Sequence, residues 1–193
     1  IYHMFYGMQK SFGNLEGALA IMANGALILQ FPVAHSFLLS QRGQKILSLL
    51  GPKDLAISLS TTSFTIVASI QLFALFMLWS PSKIVFELPF EFLIYILPIL
   101  YCLSWFLLIV ATIDAGLEVQ SGALGWISVL ARNKPKFPEL PTTGLYKIIR
   151  HPIYASFFLA VLTVPTWTAD QIVVSLILGC LLYTSPSPRD GIG

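Results

Sequence analysis

The sequence predicts an all-α, polytopic transmembrane helical bundle with three full spans and a C-terminal helical hairpin, about five membrane helices in total. Hydrophobic residues make up 56% of the 193 residues and charged residues only 10%, whereas soluble domains carry about 25% charged residues. Three apolar blocks, of which only the first has a charged residue, Glu16 near its start, are each long enough to cross a bilayer core, which takes roughly 20 apolar residues. Two shorter apolar runs follow them. Too few charges remain to cover a water-facing surface, so the sequence excludes a soluble domain.

The three long blocks carry further structural signals. They cover residues 15–39, 55–79 and 92–113. Pro32 lies inside the first block and should kink its helix. The second block begins with hydroxyl side chains, which are Ser58, Ser60, Thr61, Thr62 and Ser63. Because such groups bond to their own helix or to a neighbour, we expect this face to point into the bundle. The third block contains Pro98 and ends at Asp114, near the expected water boundary.

The C-terminal half is broken into shorter pieces. Residues 116–130 mix glycine and apolar residues, which is typical of a helix end or an interfacial segment. The Lys- and Pro-rich stretch at 131–141 predicts an exposed connector. Apolar runs at 152–164 and 171–183 are each short for an independent span and therefore predict a tight helical hairpin. We expect residues 1–183 to form one membrane domain. Within it, residues 114–152, which include the exposed stretch at 131–141, connect the third span to the hairpin on the cytoplasmic side.

Basic residues predict the orientation of the bundle, since loops rich in Lys and Arg stay in the cytoplasm. They lie in the first connection and after the third block, at Arg42, Lys45, Lys53, Arg132, Lys134, Lys136, Lys147 and Arg150. The second connection has only Lys83 against Glu87 and Glu91. We therefore expect an integral protein of the bacterial inner membrane whose first and third connections face the cytoplasm. Lys134 and Lys136 would meet anionic lipid headgroups.

Residues 144–154, which we call the motif, form the most informative stretch. Tyr146 and Arg150 are four residues apart, so they would share a face on a helical turn. Pro152 disfavours helix at the preceding residue and suits the first position of a new helix, which predicts a break at His151. The N–H groups of a helix start and the guanidinium of Arg150 together predict a receptor for a carboxylate or phosphate.

This pattern resembles the isoprenylcysteine carboxyl methyltransferase-like membrane enzymes, with the related methanethiol methyltransferases and NnrU-like proteins. The residues that carry the resemblance are Gly144, Tyr146, Arg150, His151, Pro152 and Tyr154. The run at 164–168 and the triplet at 34–36 add to it. The resemblance covers the C-terminal half well and the first half mainly through hydropathy.

The resemblance implies methyl transfer from S-adenosylmethionine to a lipophilic or small acceptor, either a thiol or a carboxyl group. It implies that Arg150 and His151 bind the methionine carboxylate, and that Tyr146 or Tyr154 faces the adenine or the sulfonium. Catalytic residues stay unassigned, because the Glu- and Arg-containing stretch that follows the last helix in this family is absent here. The alternative is a non-enzymatic, NnrU-like accessory or transport protein.

Simpler explanations exist for each residue that these hypotheses use. Arg150 at a membrane edge is commonly a topology anchor, and the two tyrosines suit an interfacial belt equally well. A buried, hydrogen-bonded structural role is favoured for His35 over a functional one. For Asp114 and Glu118, solvated carboxylates at a helix end are the commoner case, so neither is placed in the site.

Composition limits the remaining possibilities. A net charge of +2 is too small to indicate nucleic-acid binding. Cys102 and Cys180 lie in apolar runs without metal-ligand spacing, so neither a disulfide framework nor a metal site is expected. Membrane lipids and the methyl acceptor are the expected partners, and nothing indicates the oligomeric state. Residues 184–193 break the last apolar run abruptly and are predicted to be a non-native or disordered tail on a fragment, which would leave the chain itself inactive or nearly so.

Overall fold

The computed structural model describes residues 1–49, 52, 55–136 and 141–184, without the side chains of residues 56, 57 and 181–184. The predicted tail lies almost entirely outside this part of the chain, as does Lys53. The helices in chain order are α1 (Tyr2–Phe5), α2 (Gly17–Leu39), α3 (Gln41–Leu49), α4 (Ala56–Leu78), α5 (Leu93–Asp114), α6 (Leu117–Gln120), α7 (Ala123–Leu130), a 3-10 helix (Gly144–Lys147), α8 (Pro152–Leu162) and α9 (Ala169–Thr184).

The predicted fold class is confirmed. Helices α2, α4 and α5 are long and apolar enough to cross a membrane, and their ends agree with the predicted blocks to within two residues. The two shorter apolar helices, α8 and α9, form the predicted C-terminal hairpin. Only 11% of each span is buried inside the bundle, as expected for helices whose surfaces face lipid.

Two packed cores hold the helices together. One core joins Met8 to Ile28 of α2, to Leu75 of α4 and Trp79 just after it, and to Val174 of α9. The other joins Met4 to Tyr101 of α5 and to Val161 and Val164 of the hairpin. The N-terminal segment, to which the sequence assigned no helix, therefore supplies a buried methionine to each core.

The hydroxyl face of α4 points into the bundle, as predicted. Thr62 is buried and donates a hydrogen bond to the carbonyl of Gly122, just before α7. Gly122 and Gly125 allow this close approach: a Cβ on Gly125 would lie 2.5 Å from the carbonyl oxygen of Ser58. Residues 116–130, predicted to be a helix end or an interfacial segment, thus form α6 and α7, with α7 packed against α4.

Helix α3 was not predicted, because its residues were assigned to a connection. Ser40 ends α2, and its hydroxyl accepts a hydrogen bond from the backbone N–H of Gly43 at 3.2 Å. This is the N-cap geometry that serine favours. Thr168 caps α9 in the same way, since its hydroxyl accepts from the N–H of Gln171 at 3.0 Å.

The bundle has two chemically different ends. At the Asp170 end, the N-terminal segment, the α4–α5 loop and the α8–α9 loop meet around one buried carboxylate. Asp170 is 6% exposed and accepts hydrogen bonds from the side chains of Gln9, Trp79 and Ser82 and from the Ser82 backbone N–H, all between 2.7 and 3.0 Å. The motif end carries α3, α6, α7, the 3-10 helix and the start of α8.

Candidate functional site

The predicted helix break lies at His151. A 3-10 helix covers Gly144–Lys147, and the chain then bends before α8 begins at Pro152. His151 has non-helical dihedral angles (φ −134°, ψ 69°), and its carbonyl accepts the first hydrogen bond of α8, from Ala155 at 3.0 Å. Proline at the first helical position has no N–H to leave unsatisfied, so the sequence itself sets this boundary.

The prediction that Tyr146 and Arg150 share a helical face is wrong. The helical turn ends at Lys147, and Arg150 lies in a bend beyond it. The cause is Pro152, because the residue before a proline avoids helical dihedral angles and the proline ring cannot bond to the carbonyl four residues back, so the turn cannot run into α8. Arg150 is exposed, whereas Tyr146 is half-buried.

His151 and Tyr154 come together. Their rings are stacked, with centroids 5.9 Å apart and planes inclined by 26°. This contact follows from spacing, since residues three apart across the first turn of a helix lie on one side. Both rings are half-buried, so the pair forms a partly sheltered aromatic surface at the start of α8.

Asp114 is the residue that sequence reasoning left out of the site. Its Oδ2 accepts a hydrogen bond from the backbone N–H of Leu145 at 2.8 Å. Gly144 has a positive φ of +58°, and a Cβ there would collide with the Asp114 carboxyl group. The last residue of α5 therefore holds the 3-10 helix in place. The sequence does show a carboxylate at the end of a span and a glycine at the start of the motif. The two lie about 31 positions apart, and residue spacing does not indicate that residues so far apart are in contact.

Asp114 also affects Tyr146. Burial raises the pKa of the Tyr146 phenol above its ordinary value, and the negative charge of Asp114 and the neighbouring Tyr154 raise it further. The phenol, which is a hydrogen-bond donor at neutral pH, therefore keeps its proton to a higher pH than an ordinary tyrosine does.

The start of α8 is suited to an anion. Pro152 has no N–H, and no side chain caps the helix start in the part of the chain that the structure describes. The first hydrogen bond within α8 is donated by Ala155. The backbone N–H groups of Ile153 and Tyr154 come before it and have no acceptor within the helix, so they are available to a ligand. Arg150 lies two residues before the helix. A carboxylate or phosphate would meet both a helix N-terminus and a guanidinium here.

Four cavities lie in other parts of the bundle, and none of them is lined by Tyr146, Arg150, His151 or Tyr154. The largest of the four, about 520 Å³, is an open cleft at the motif end between α2, α3, α4 and α6. Thr61 lines this cleft, and its buried hydroxyl has no hydrogen-bond partner among the described residues. The structure therefore groups the four predicted residues around one helix start, outside these four cavities.

His35 lies between aromatic rings within α2. Its ring is 5.4 Å from that of Phe31 and 4.9 Å from that of Phe64, measured between centroids. Its buried Nδ1 has no hydrogen-bond partner in the described ranges of the chain. The expected hydrogen-bonded structural histidine is therefore not observed at this nitrogen.

Comparison with known proteins identifies distant homologues. The chain is 27% identical to the methanethiol S-methyltransferase of Pseudomonas deceptionensis over 174 residues, which are 88% of this chain and 65% of the relative. It is 23% identical over 160 residues to a methanethiol S-methyltransferase of a Pseudomonas species, covering 82% of this chain and 60% of the relative. It is 26% identical over 167 residues to methanethiol S-methyltransferase 1 of Bradyrhizobium diazoefficiens, covering 86% and 57%.

The chain spans about three-fifths of the length of these curated relatives. No protein-family model matches it, and no solved structure does. The resemblance drawn from the motif is therefore confirmed in its coarser form, as a distant relationship to membrane methyltransferases.

Proposed function

We propose that this chain is the membrane-embedded part of an S-adenosylmethionine-dependent methyltransferase, with the donor held at the motif end. The observation that carries the proposal is the distant homology to methanethiol S-methyltransferases, which extends over 88% of the chain. The helical architecture supports it, because three spans and a hairpin place the motif at one end of an integral membrane bundle.

The residues at the start of α8 fit the donor's methionine group. A carboxylate would accept hydrogen bonds from the N–H groups of Ile153 and Tyr154 and pair with the guanidinium of Arg150. His151, at the break, would donate a hydrogen bond to the same group. The uncapped helix start supports this assignment, since side-chain caps normally satisfy those N–H groups.

The aromatic residues fit the rest of the donor. The stacked pair of His151 and Tyr154 offers a flat surface to an adenine ring or to a sulfonium cation. Tyr146, whose phenol is protonated at neutral pH, would donate a hydrogen bond. When bound, S-adenosylmethionine would supply an activated methyl group, so the task of these residues is to orient the donor and shield it from water.

The acceptor is proposed to be a small or lipophilic thiol or carboxyl compound that arrives from the bilayer. The relatives are named for methanethiol, which favours a small thiol. Because that name belongs to proteins that are longer than this chain and only distantly related, the acceptor is the least constrained part of the proposal.

The test is binding of radiolabelled S-adenosylmethionine to the purified protein in lipid nanodiscs. We expect saturable binding that weakens about 10- to 100-fold in Arg150→Ala, the cost of about 1.4–2.8 kcal/mol that loss of a charge-assisted hydrogen bond predicts. His151→Ala should weaken it in the same direction. Lys134→Ala is the matched control, because Lys134 is an exposed basic residue at the same end, outside the motif.

Equal affinity in Arg150→Ala and the control would remove the site from the proposal. No binding by a well-folded sample would favour the non-enzymatic, NnrU-like alternative instead.

A further inference from the structure

An apolar cavity lies inside the bundle, away from the motif. It has a volume of about 30 Å³ and is lined by nine side chains of α2, α4, α8 and α9, all of them hydrocarbon or aromatic. Each lining residue is buried or half-buried. Four helices therefore fail to close completely where they meet, although protein interiors normally leave few voids larger than a water molecule.

The cavity lies away from the ends of the helices that span the membrane. Phe157, which lines it, is five residues along α8 from Pro152, or roughly 8 Å at 1.5 Å per residue. Ile28 and Phe31 line it from the middle of α2. The surrounding solvent is thus hydrocarbon, in which small apolar molecules concentrate.

Water is an unsuitable occupant. A buried water needs two to four polar partners, and a cavity lined only by apolar groups stays dry. Its volume is larger than the roughly 10–15 Å³ that a single water requires, so a molecule of two or three heavy atoms would fit. A rigid, dry space of this kind gains dispersion contacts when an apolar guest fills it.

We propose that this cavity binds a small apolar molecule of at most about three heavy atoms, taken from the bilayer. The proposal goes beyond the proposed function and does not depend on it, because it needs neither a methyl donor nor any motif residue. A lipid acyl chain is the competing occupant, and the test below separates the two.

Xenon is the probe. The chain, carrying ¹³C-labelled isoleucine, leucine and valine methyl groups, is placed in lipid nanodiscs and observed by NMR under increasing xenon pressure. Methyl signals of Ile28, Val174 and Ile177 should shift and then saturate, since a cavity has a finite number of sites. Signals of Leu176, which is 68% exposed on α9, should shift only in proportion to pressure, because xenon dissolves in lipid without saturating.

Two cavity-filling variants and one control complete the experiment. Ile177→Phe enlarges a lining side chain and should weaken the saturable response of the Val174 methyl groups about fivefold. Leu176→Phe makes the matched change one residue earlier, on the exposed surface, and should leave the response unchanged. If the spectrum of Ile177→Phe shows that it is unfolded, Leu72→Phe fills the cavity from α4 instead.

Proportional shifts at every methyl group would overturn the proposal. So would a saturable response that persists unchanged when the cavity is filled. Nuclear Overhauser contacts between cavity methyl groups and acyl-chain protons, without a saturable xenon response, would show that a lipid tail occupies the space and would overturn it as well.

Discussion

Asp114 shows how a single side chain organises the motif. It ends α5, accepts a hydrogen bond from Leu145 and lies against Gly144. A span and a loop are joined through this one carboxylate, so the position of the 3-10 helix depends on it.

We therefore expect Asp114→Ala to destabilise the protein by about 1–3 kcal/mol, because the Leu145 N–H loses a charged acceptor. Thermal unfolding in detergent, followed by circular dichroism, measures the change. Glu118→Ala is the control: Glu118 is also a half-buried carboxylate at this end, but it makes no hydrogen bond to the motif in the described part of the chain. Equal losses in the two variants would contradict the role of Asp114.

Tyr146 gives the site a dependence on alkaline pH. Its pKa is raised from the ordinary value of 10.0, so the folded protein holds the phenolic proton more tightly than the unfolded chain. The resulting stabilisation is fully present below pH 10 and is lost as the pH rises through the folded-state value. Tyr146→Phe should remove this part of the alkaline loss of stability. Unfolding curves recorded between about pH 9 and 11, the range around the ordinary tyrosine pKa, measure the difference. Identical pH profiles for the two proteins would show that the phenol does not contribute.

At the scale of elements, the packing of α7 against α4 depends on glycine. Gly125→Ala places a Cβ 2.5 Å from the Ser58 carbonyl oxygen and 2.6 Å from the Thr62 hydroxyl, so the two helices must separate. We expect a loss of about 1–3 kcal/mol in unfolding free energy. Gly25→Ala is the control, because a Cβ on Gly25 of α2 meets nothing within 4 Å; that variant should be neutral or slightly more stable. A Gly25→Ala loss as large as that of Gly125→Ala would contradict the packing described.

Hydropathy was sufficient to predict the spans, because a helix in lipid is specified by the length of an uncharged run. The helix break was predictable for a similar reason, since Pro152 acts on its immediate neighbours. The joining of Asp114 to Leu145, the burial of Met4 and Met8 and the hydrogen bonds to Asp170 were not predictable. Each of these contacts connects residues far apart in the chain, and neither spacing nor composition encodes which distant segments meet.

At the scale of the whole molecule, charge distinguishes the two ends. The described basic residues at the motif end are Arg42, Lys45, Arg132, Lys134, Lys136, Lys147 and Arg150, whereas Lys10 and Lys83 lie at the Asp170 end. Lys83 forms an exposed ion pair with Glu16 at 3.7 Å. This asymmetry supports the proposal that the motif end faces the cytoplasm, since Lys and Arg are retained there.

Single cysteines test that orientation. In a Cys102→Ser, Cys180→Ser background, Lys83→Cys should react with a membrane-impermeant maleimide on intact bacterial cells, whereas Lys134→Cys should react only after the cells are permeabilised. Both positions are exposed, so differences in reactivity report the side of the membrane. The reverse pattern would contradict the proposed orientation.

The central claim is that the motif end holds a methyl donor for transfer to an acceptor. The chain itself is predicted to be a fragment that is inactive or nearly so, so the most direct test uses the longer parent protein that this prediction implies. It is a methyl-transfer assay with S-adenosylmethionine labelled in the methyl group and methanethiol as acceptor, in membranes that contain the parent protein, its Arg150→Ala variant or its Lys134→Ala variant. The account predicts labelled dimethyl sulfide from the parent protein and from Lys134→Ala, and a loss of about 10-fold or more in Arg150→Ala, as removal of one charge-assisted contact implies. Transfer that proceeds equally well in Arg150→Ala would contradict it.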